Sequence, residues 1–75
     1  LNKMTKVEQL KARAYAIDIL EEKAKQEKDQ IKYITDCIEE NRKEGEEPSN
    51  WDLQNLETAK KELQMIEYVI EEIAK

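Results

Sequence analysis

The chain has one glycine and one proline in 75 residues, and both lie in the same short segment. Gly45 can adopt the left-handed conformation that ends a helix, and Pro48 cannot continue one. Ser49 then fits the N-cap of a second helix. The sequence therefore predicts an all-α helical hairpin in one domain spanning residues 1–75. Its parts are a helix at 6–44, a hinge at 45–49 and a helix at 50–74.

The lone tryptophan, Trp51, follows this hinge directly. The favoured interpretation is a structural turn, in which the Trp51 ring packs across the hinge near Ile38 or Arg42. The alternative is a recognition loop, because the ring lies beside several acidic residues. These acids are Glu44, Glu46, Glu47 and Asp52.

Helix 1 has a clear start, but its middle allows two interpretations. Thr5 and Glu8 match the capping-box pattern, which predicts a first helical residue near Lys6. Residues 21–30 contain a single alanine as their only apolar member, so a turn there would produce a three-helix bundle. This stretch consists mostly of strong helix formers and lacks Gly, Pro and Asn. A continuous helix is therefore favoured.

Helix 2 carries an apolar seam whose members are spaced alternately three and four residues apart, as in a coiled coil. Its members are Leu56, Ala59, Leu63, Ile66, Ile70 and Ile73. Folding the chain at the hinge pairs residues whose numbers sum to roughly 94, the expected register of an antiparallel hairpin. Ile70 then lies opposite only Ala24, and Ile66 lies opposite Glu27 and Lys28.

In this register the two helices do not cover each other's apolar residues. Residues 4–18 extend beyond helix 2, and the apolar stripe near the end of helix 2 is wider than a two-helix seam. Exposed apolar surfaces of this kind usually mark an interface. The pattern predicts either a homodimer that forms a four-helix bundle or docking of another protein. The predicted interface comprises Val7, Leu10, Ala14, Ile17, Leu20, Met65, Val69 and Ile73.

Charge is distributed unevenly between the two ends. Residues 1–15 carry Lys3, Lys6, Lys11 and Arg13 against one acid, Glu8. The end of helix 2 carries Glu67, Glu71 and Glu72 against Lys75. An antiparallel crossing of two chains would bring these opposite charges together, which would steer association. The alternative is two ordinary solvated faces.

The sequence offers no catalytic, cofactor or metal site, and an enzyme is not expected. There is no histidine, and the single cysteine, Cys37, has no second thiol for a zinc or redox motif. Cys37 is therefore predicted to be a packing residue, and a lone cysteine fits a cytoplasmic location. A net charge of −5 argues against direct nucleic-acid binding. No apolar run approaches the length of a membrane span.

Two hypotheses for function remain. The first is a structural or adaptor module that acts through helix–helix packing. The second is an acidic inhibitor or decoy that blocks a basic groove of a nucleic-acid-handling protein. The 13 Lys and Arg residues interleaved with the acids weaken the second hypothesis. The sequence leaves open whether residues 1–3 are native or a tag remnant, with Met4 as the native start.

Overall fold

The protein is a pair of antiparallel helices, seen in a computed structural model that describes residues 3–75. Helix α1 spans Lys6–Lys43 and helix α2 spans Asn50–Ala74, and no strand occurs in this part of the chain. The predicted all-α hairpin is confirmed, with both helices packed against each other. Helix α1 ends one residue before its predicted end. The question of a native start concerns residues 1–3, of which Leu1 and Asn2 lie outside the described residues.

Helix α1 begins with a complete capping box. The Thr5 hydroxyl accepts a hydrogen bond from the Glu8 backbone N–H at 3.1 Å. In return, the Thr5 backbone N–H donates to the Glu8 carboxylate at 2.9 Å. These two bonds pair amides that the first turn of a helix would otherwise leave unpaired.

Helix α1 continues through the polar stretch without a break, so the three-helix alternative with a turn at 21–30 is wrong. The physical reason is local: the stretch is made of helix formers, and no residue in it stabilises a turn. Its one apolar residue, Ala24, is buried against α2. The result is a long, thin molecule of 60 × 20 × 15 Å.

The turn between the helices is closed by a Schellman motif. Gly45 has a φ of +84°. This conformation lets the Gly45 N–H donate to the Arg42 carbonyl at 3.0 Å and the Glu46 N–H donate to the Asn41 carbonyl at 2.8 Å. Ser49 then caps α2, because its hydroxyl accepts a hydrogen bond from the Asp52 N–H at 3.0 Å. Gly45 and Ser49 thus take the positions that the sequence predicts for them, and Pro48 between them is half-buried.

The core is a narrow seam between the helices. Only four of the described residues are buried, all of them apolar: Ala24, Ile34, Ile38 and Ala59. Half-buried residues extend this seam along both helices, and Cys37 at its edge is among them. On α1 the half-buried members include Leu20, Glu27 and Ile31, and on α2 they include Leu63, Ile66, Ile70 and Ile73.

The prediction for Trp51 is wrong. Its side chain is 71% exposed, so it does not pack onto the end of α1. Trp51 is the second residue of α2, and its neighbour Asp52 is half-buried. Successive helical residues point about 100° apart, so the position that faces α1 belongs to Asp52 and the ring of Trp51 points to solvent.

Candidate interaction surface

The first part of α1 has no cover. Every residue from 3 to 15 is exposed, and we call this segment the overhang. Two of its apolar side chains, Val7 and Leu10, are 60% and 64% exposed. Partial burial begins at Ala16 and Ile17, near the level where α2 ends. The uncovered part of α1 is therefore slightly shorter than the predicted 4–18.

The apolar residues of the overhang form a stripe along one face of α1. Val7, Leu10, Ala14 and Ile17 are spaced alternately three and four residues apart, which places them on one side of a helix. The same spacing leads on to Glu21 and Ala24. The overhang stripe thus runs directly into the region where α1 meets α2.

The structure divides the predicted interface residues into two groups. Ile17, Leu20 and Ile73 are half-buried at the end of the seam, where α2 finishes. The other five are exposed: Val7, Leu10, Ala14, Met65 and Val69. Met65 and Val69 form a second apolar patch on the side of α2, 60% and 41% exposed. The eight residues therefore do not form one continuous surface within a single chain.

An open groove of about 760 Å³ lies between the helices next to the overhang. We call it the Ala24 groove, because the small side chain of Ala24 leaves this space opposite Ile70. Its α1 wall includes Glu21, Lys25 and Lys28. Its α2 wall includes Glu67, Tyr68 and Glu71. The groove was not anticipated, although the predicted pairing of Ala24 with Ile70 was the signal for it.

The groove and the overhang differ in charge. Three acids, Glu21, Glu67 and Glu71, border the groove together with two lysines. On the overhang, Leu10 lies between Lys6 and Arg13, and these residues line one small surface depression of about 230 Å³ with Gln9. Each ion pair found in the described residues joins side chains three or four residues apart, within α1 or at the C-terminal end of α2. Ion pairing therefore does not link α1 to α2 in this part of the chain.

One acid occupies the middle of the seam, and a second acid lies beside it. Glu27 is half-buried on α1, where the spacing of the seam would place an apolar residue between Ala24 and Ile31. Desolvation raises the pKa of the Glu27 carboxyl, and the nearby Glu62 carboxyl on α2 raises that pKa further. The sequence places Glu27 opposite Ile66 but gives no signal for Glu62, because Glu62 lies beside the seam of α2.

The remaining side chains do not suggest another kind of site. In the described residues, no cluster of three or more His, Cys, Asp or Glu side chains is arranged to hold a metal ion. Neither α1 nor α2 contains a stretch that is both long and apolar enough to span a bilayer. No known protein family, curated protein or solved structure matches the sequence.

Proposed function

We propose that this protein is a non-enzymatic interaction module that acts through helix–helix packing. Its partner in this proposal is a second copy of the chain, and the product is a dimeric four-helix bundle. The observation that supports the proposal most strongly is the overhang. Val7 and Leu10 are 60% and 64% exposed along a continuous stripe, and contiguous exposed apolar surface of this kind usually marks an interface.

The energetics favour a dimer of moderate strength. Burying a side chain the size of valine or leucine stabilises by about 1.5–3 kcal/mol. Covering Val7, Leu10 and Ile17 in both copies would contribute up to about 9–18 kcal/mol, more than the roughly 8 kcal/mol that micromolar association requires. Association also costs several kcal/mol in lost translational and rotational freedom. We therefore expect dissociation in the micromolar range.

A partner of this kind would also stabilise the helix of the overhang. Isolated helices shorter than about 12–15 residues are marginal in water, because nucleation is costly. The overhang depends on its capping box and on its continuity with the rest of α1. A second copy packed against it would supply the tertiary contacts that this segment lacks. A cytoplasmic location suits such a module, since its single thiol at Cys37 needs no oxidising environment.

The acidic-decoy hypothesis is less well supported. A protein that imitates a nucleic-acid backbone needs a long surface of one sign. Here Lys25 and Lys28 interrupt the acids of the Ala24 groove, and the overhang carries Lys6 and Arg13. Both charge signs therefore alternate along the rod.

The decisive measurement is the molar mass of the protein by light scattering from about 1 to 100 μM, a range that brackets micromolar association. We expect the dimer mass at the upper end. Replacing Val7 and Leu10 together by glutamine should give a monomer, because both stripe residues become polar while remaining good helix formers. The matched control replaces Ala12 and Tyr15 by glutamine. Both are exposed on the opposite side of the same overhang, so this change should leave the dimer intact.

A monomeric mass for the native protein throughout this range would refute self-association. A dimer that both double variants form equally well would show that the overhang stripe is not its interface. Circular dichroism of each variant separates these outcomes from a simple loss of helix.

A further inference from the structure

We infer that Leu10 of each copy docks into the Ala24 groove of the other, and that the two α1 helices cross antiparallel at Ile17. This inference rests on the proposed self-association and specifies its register. The occupant of the groove is thus a second copy of this chain. Three independent features of the described residues support this choice: a shared helix face, a match of size and a match of charge.

Leu10 and the residue that lines the groove, Ala24, lie on one face of α1. The spacing that links Val7, Leu10, Ala14 and Ile17 continues to Glu21 and Ala24. At Ala24, which is 6% exposed, this face borders α2, so the partner's α1 lies over the open side of the groove and contacts both helices. The contact is isologous, since each copy uses the same surface, inserting its own Leu10 and receiving the Leu10 of the partner.

The sizes of the two partners are complementary. Ala24 is a small side chain in the α1 side of the seam, and the groove that it lines together with Ile70 stays open. Leu10 is a large apolar side chain that stands 64% exposed on the overhang. Packing between helices places large side chains against small ones, so that the ridges of one helix enter the grooves of the other.

The charges match in the same register. Arg13 follows Leu10 by three residues, and Glu21 precedes Ala24 by three residues. In an antiparallel pair, Leu10 opposite the partner's Ala24 therefore brings Arg13 opposite the partner's Glu21. Lys11 is brought toward the acidic α2 wall of the partner, and complementary charges of this kind fix register.

The symmetry of the arrangement places Ile17 against its own copy. A residue on the two-fold axis of an antiparallel pair meets itself, and Ile17 is midway between Leu10 and Ala24. Ala14 then lies opposite the partner's Leu20. The centre of the contact is therefore apolar, and its ion pairs lie on either side.

Charge reversal tests the register directly. Arg13→Glu alone and Glu21→Arg alone should each weaken the dimer by about tenfold, because like charges then face each other at both ends of the contact. An equimolar mixture of the two variants should regain the dimer mass. In the mixed dimer the glutamate introduced in one variant faces the arginine introduced in the other, and the native Arg13 and Glu21 form the second pair. The lack of recovery in the mixture would overturn this register.

Cross-linking tests the symmetry axis. In a Cys37→Ser background, Ile17→Cys should form a covalent dimer on mild oxidation, because facing helices bring the two Cα atoms to roughly 5 Å. Leu10→Cys in the same background is the control. Its two copies lie about 21 Å apart along the helices and should remain unlinked.

The outcomes distinguish this inference from the proposed function. A native dimer by light scattering, with no cross-link at position 17 and no recovery on mixing, overturns the inference and leaves self-association standing. A native monomer removes both. A cross-link at position 17 but not at position 10, together with recovery on mixing, establishes the reciprocal docking.

Discussion

Glu27 of α1 and Glu62 of α2 bring two carboxyl groups together across the hairpin, and desolvation together with this second carboxyl raises the pKa of Glu27. The folded state therefore binds a proton at Glu27 more tightly than the unfolded chain does. The stability that this proton contributes is complete below the ordinary pKa of 4.5 and is lost as pH rises through the folded value. At neutral pH this pair opposes folding.

We expect Glu27→Gln to stabilise the protein at pH 7. The gain should be on the order of 0.5 kcal/mol, the size typical of a partly exposed charge interaction. The native protein and the variant should approach equal stability near pH 3, where Glu27 is protonated in both states. Urea unfolding at the two pH values measures this difference. Glu22→Gln, at an exposed position on α1, is the control and should change stability little at either pH.

Gly45→Ala should destabilise the hairpin through its backbone alone. No atom lies within 4 Å of a Cβ added at Gly45, so there is no steric clash with neighbours. The φ of +84° is nevertheless unfavourable for an L-residue and costs roughly 1–2 kcal/mol. Chemical synthesis with D-alanine at this position provides the matched control. D-alanine prefers positive φ, so the protein that carries it should melt at the same temperature as the native protein or higher. A lower melting temperature would contradict the backbone explanation.

The two N-caps should respond differently to the same substitution. Ser49→Ala removes the cap of a helix that packs along α1, and it should lower global stability by about 1 kcal/mol. Thr5→Ala removes the cap of the overhang, where tertiary contacts are lacking. Its effect should appear as faster amide hydrogen exchange at residues 7–12, with little change in the melting temperature. Equal losses of melting temperature would mean that the overhang is not an independent segment.

Low pH should loosen the same cap. The Thr5 backbone N–H and then its hydroxyl lower the pKa of Glu8 by hydrogen bonding to it. This contribution is therefore present above the ordinary pKa of 4.5 and is lost as pH falls through the folded value. Exchange at residues 7–12 should accelerate at acid pH, after correction for intrinsic exchange rates, and this acceleration should be absent in Glu8→Gln.

Trp51 should behave as a solvent-exposed indole. We expect its emission maximum near that of free tryptophan and efficient quenching by neutral acrylamide, because the ring is 71% exposed. Iodide should quench less well, since Glu46, Glu47 and Asp52 are nearby in the chain. A blue-shifted maximum that is insensitive to acrylamide would contradict the exposed position of the ring.

Much of the fold could be predicted because its signals are local. Gly45 and Ser49 act through backbone geometry and capping within a few residues, and the register follows from the hinge and the regular rise of two helices. This is why the pairing of Ala24 with Ile70 and the uncovered Val7 and Leu10 could be anticipated. Predicting these features requires only the helix periodicity and the lengths of the two helices.

The candidate site was harder to predict, because it depends on orientation about the helix axis. Trp51 points outward because its neighbour Asp52 occupies the position that faces α1. The apolar pattern in the first turn of α2 does not determine which of these two adjacent residues faces α1. Glu62 likewise lies beside the seam, so its approach to Glu27 depends on the tilt between helices. The Ala24 groove has the same origin, because its volume depends on how closely the helices approach around one small side chain.

The turn at Gly45 between α1 and α2 also determines the order in which this chain can fold. Residues near Gly45 meet across a short loop, whereas Ala24 and Ile70 must close a much longer one, and loop-closure entropy grows with length. Folding should therefore begin beside the turn, and the pairing of the helices should then extend toward their far ends. Substitutions at Ile38 should mainly slow folding, and substitutions at Ile70 should mainly accelerate unfolding. The overhang is then the last segment to order and the first to open.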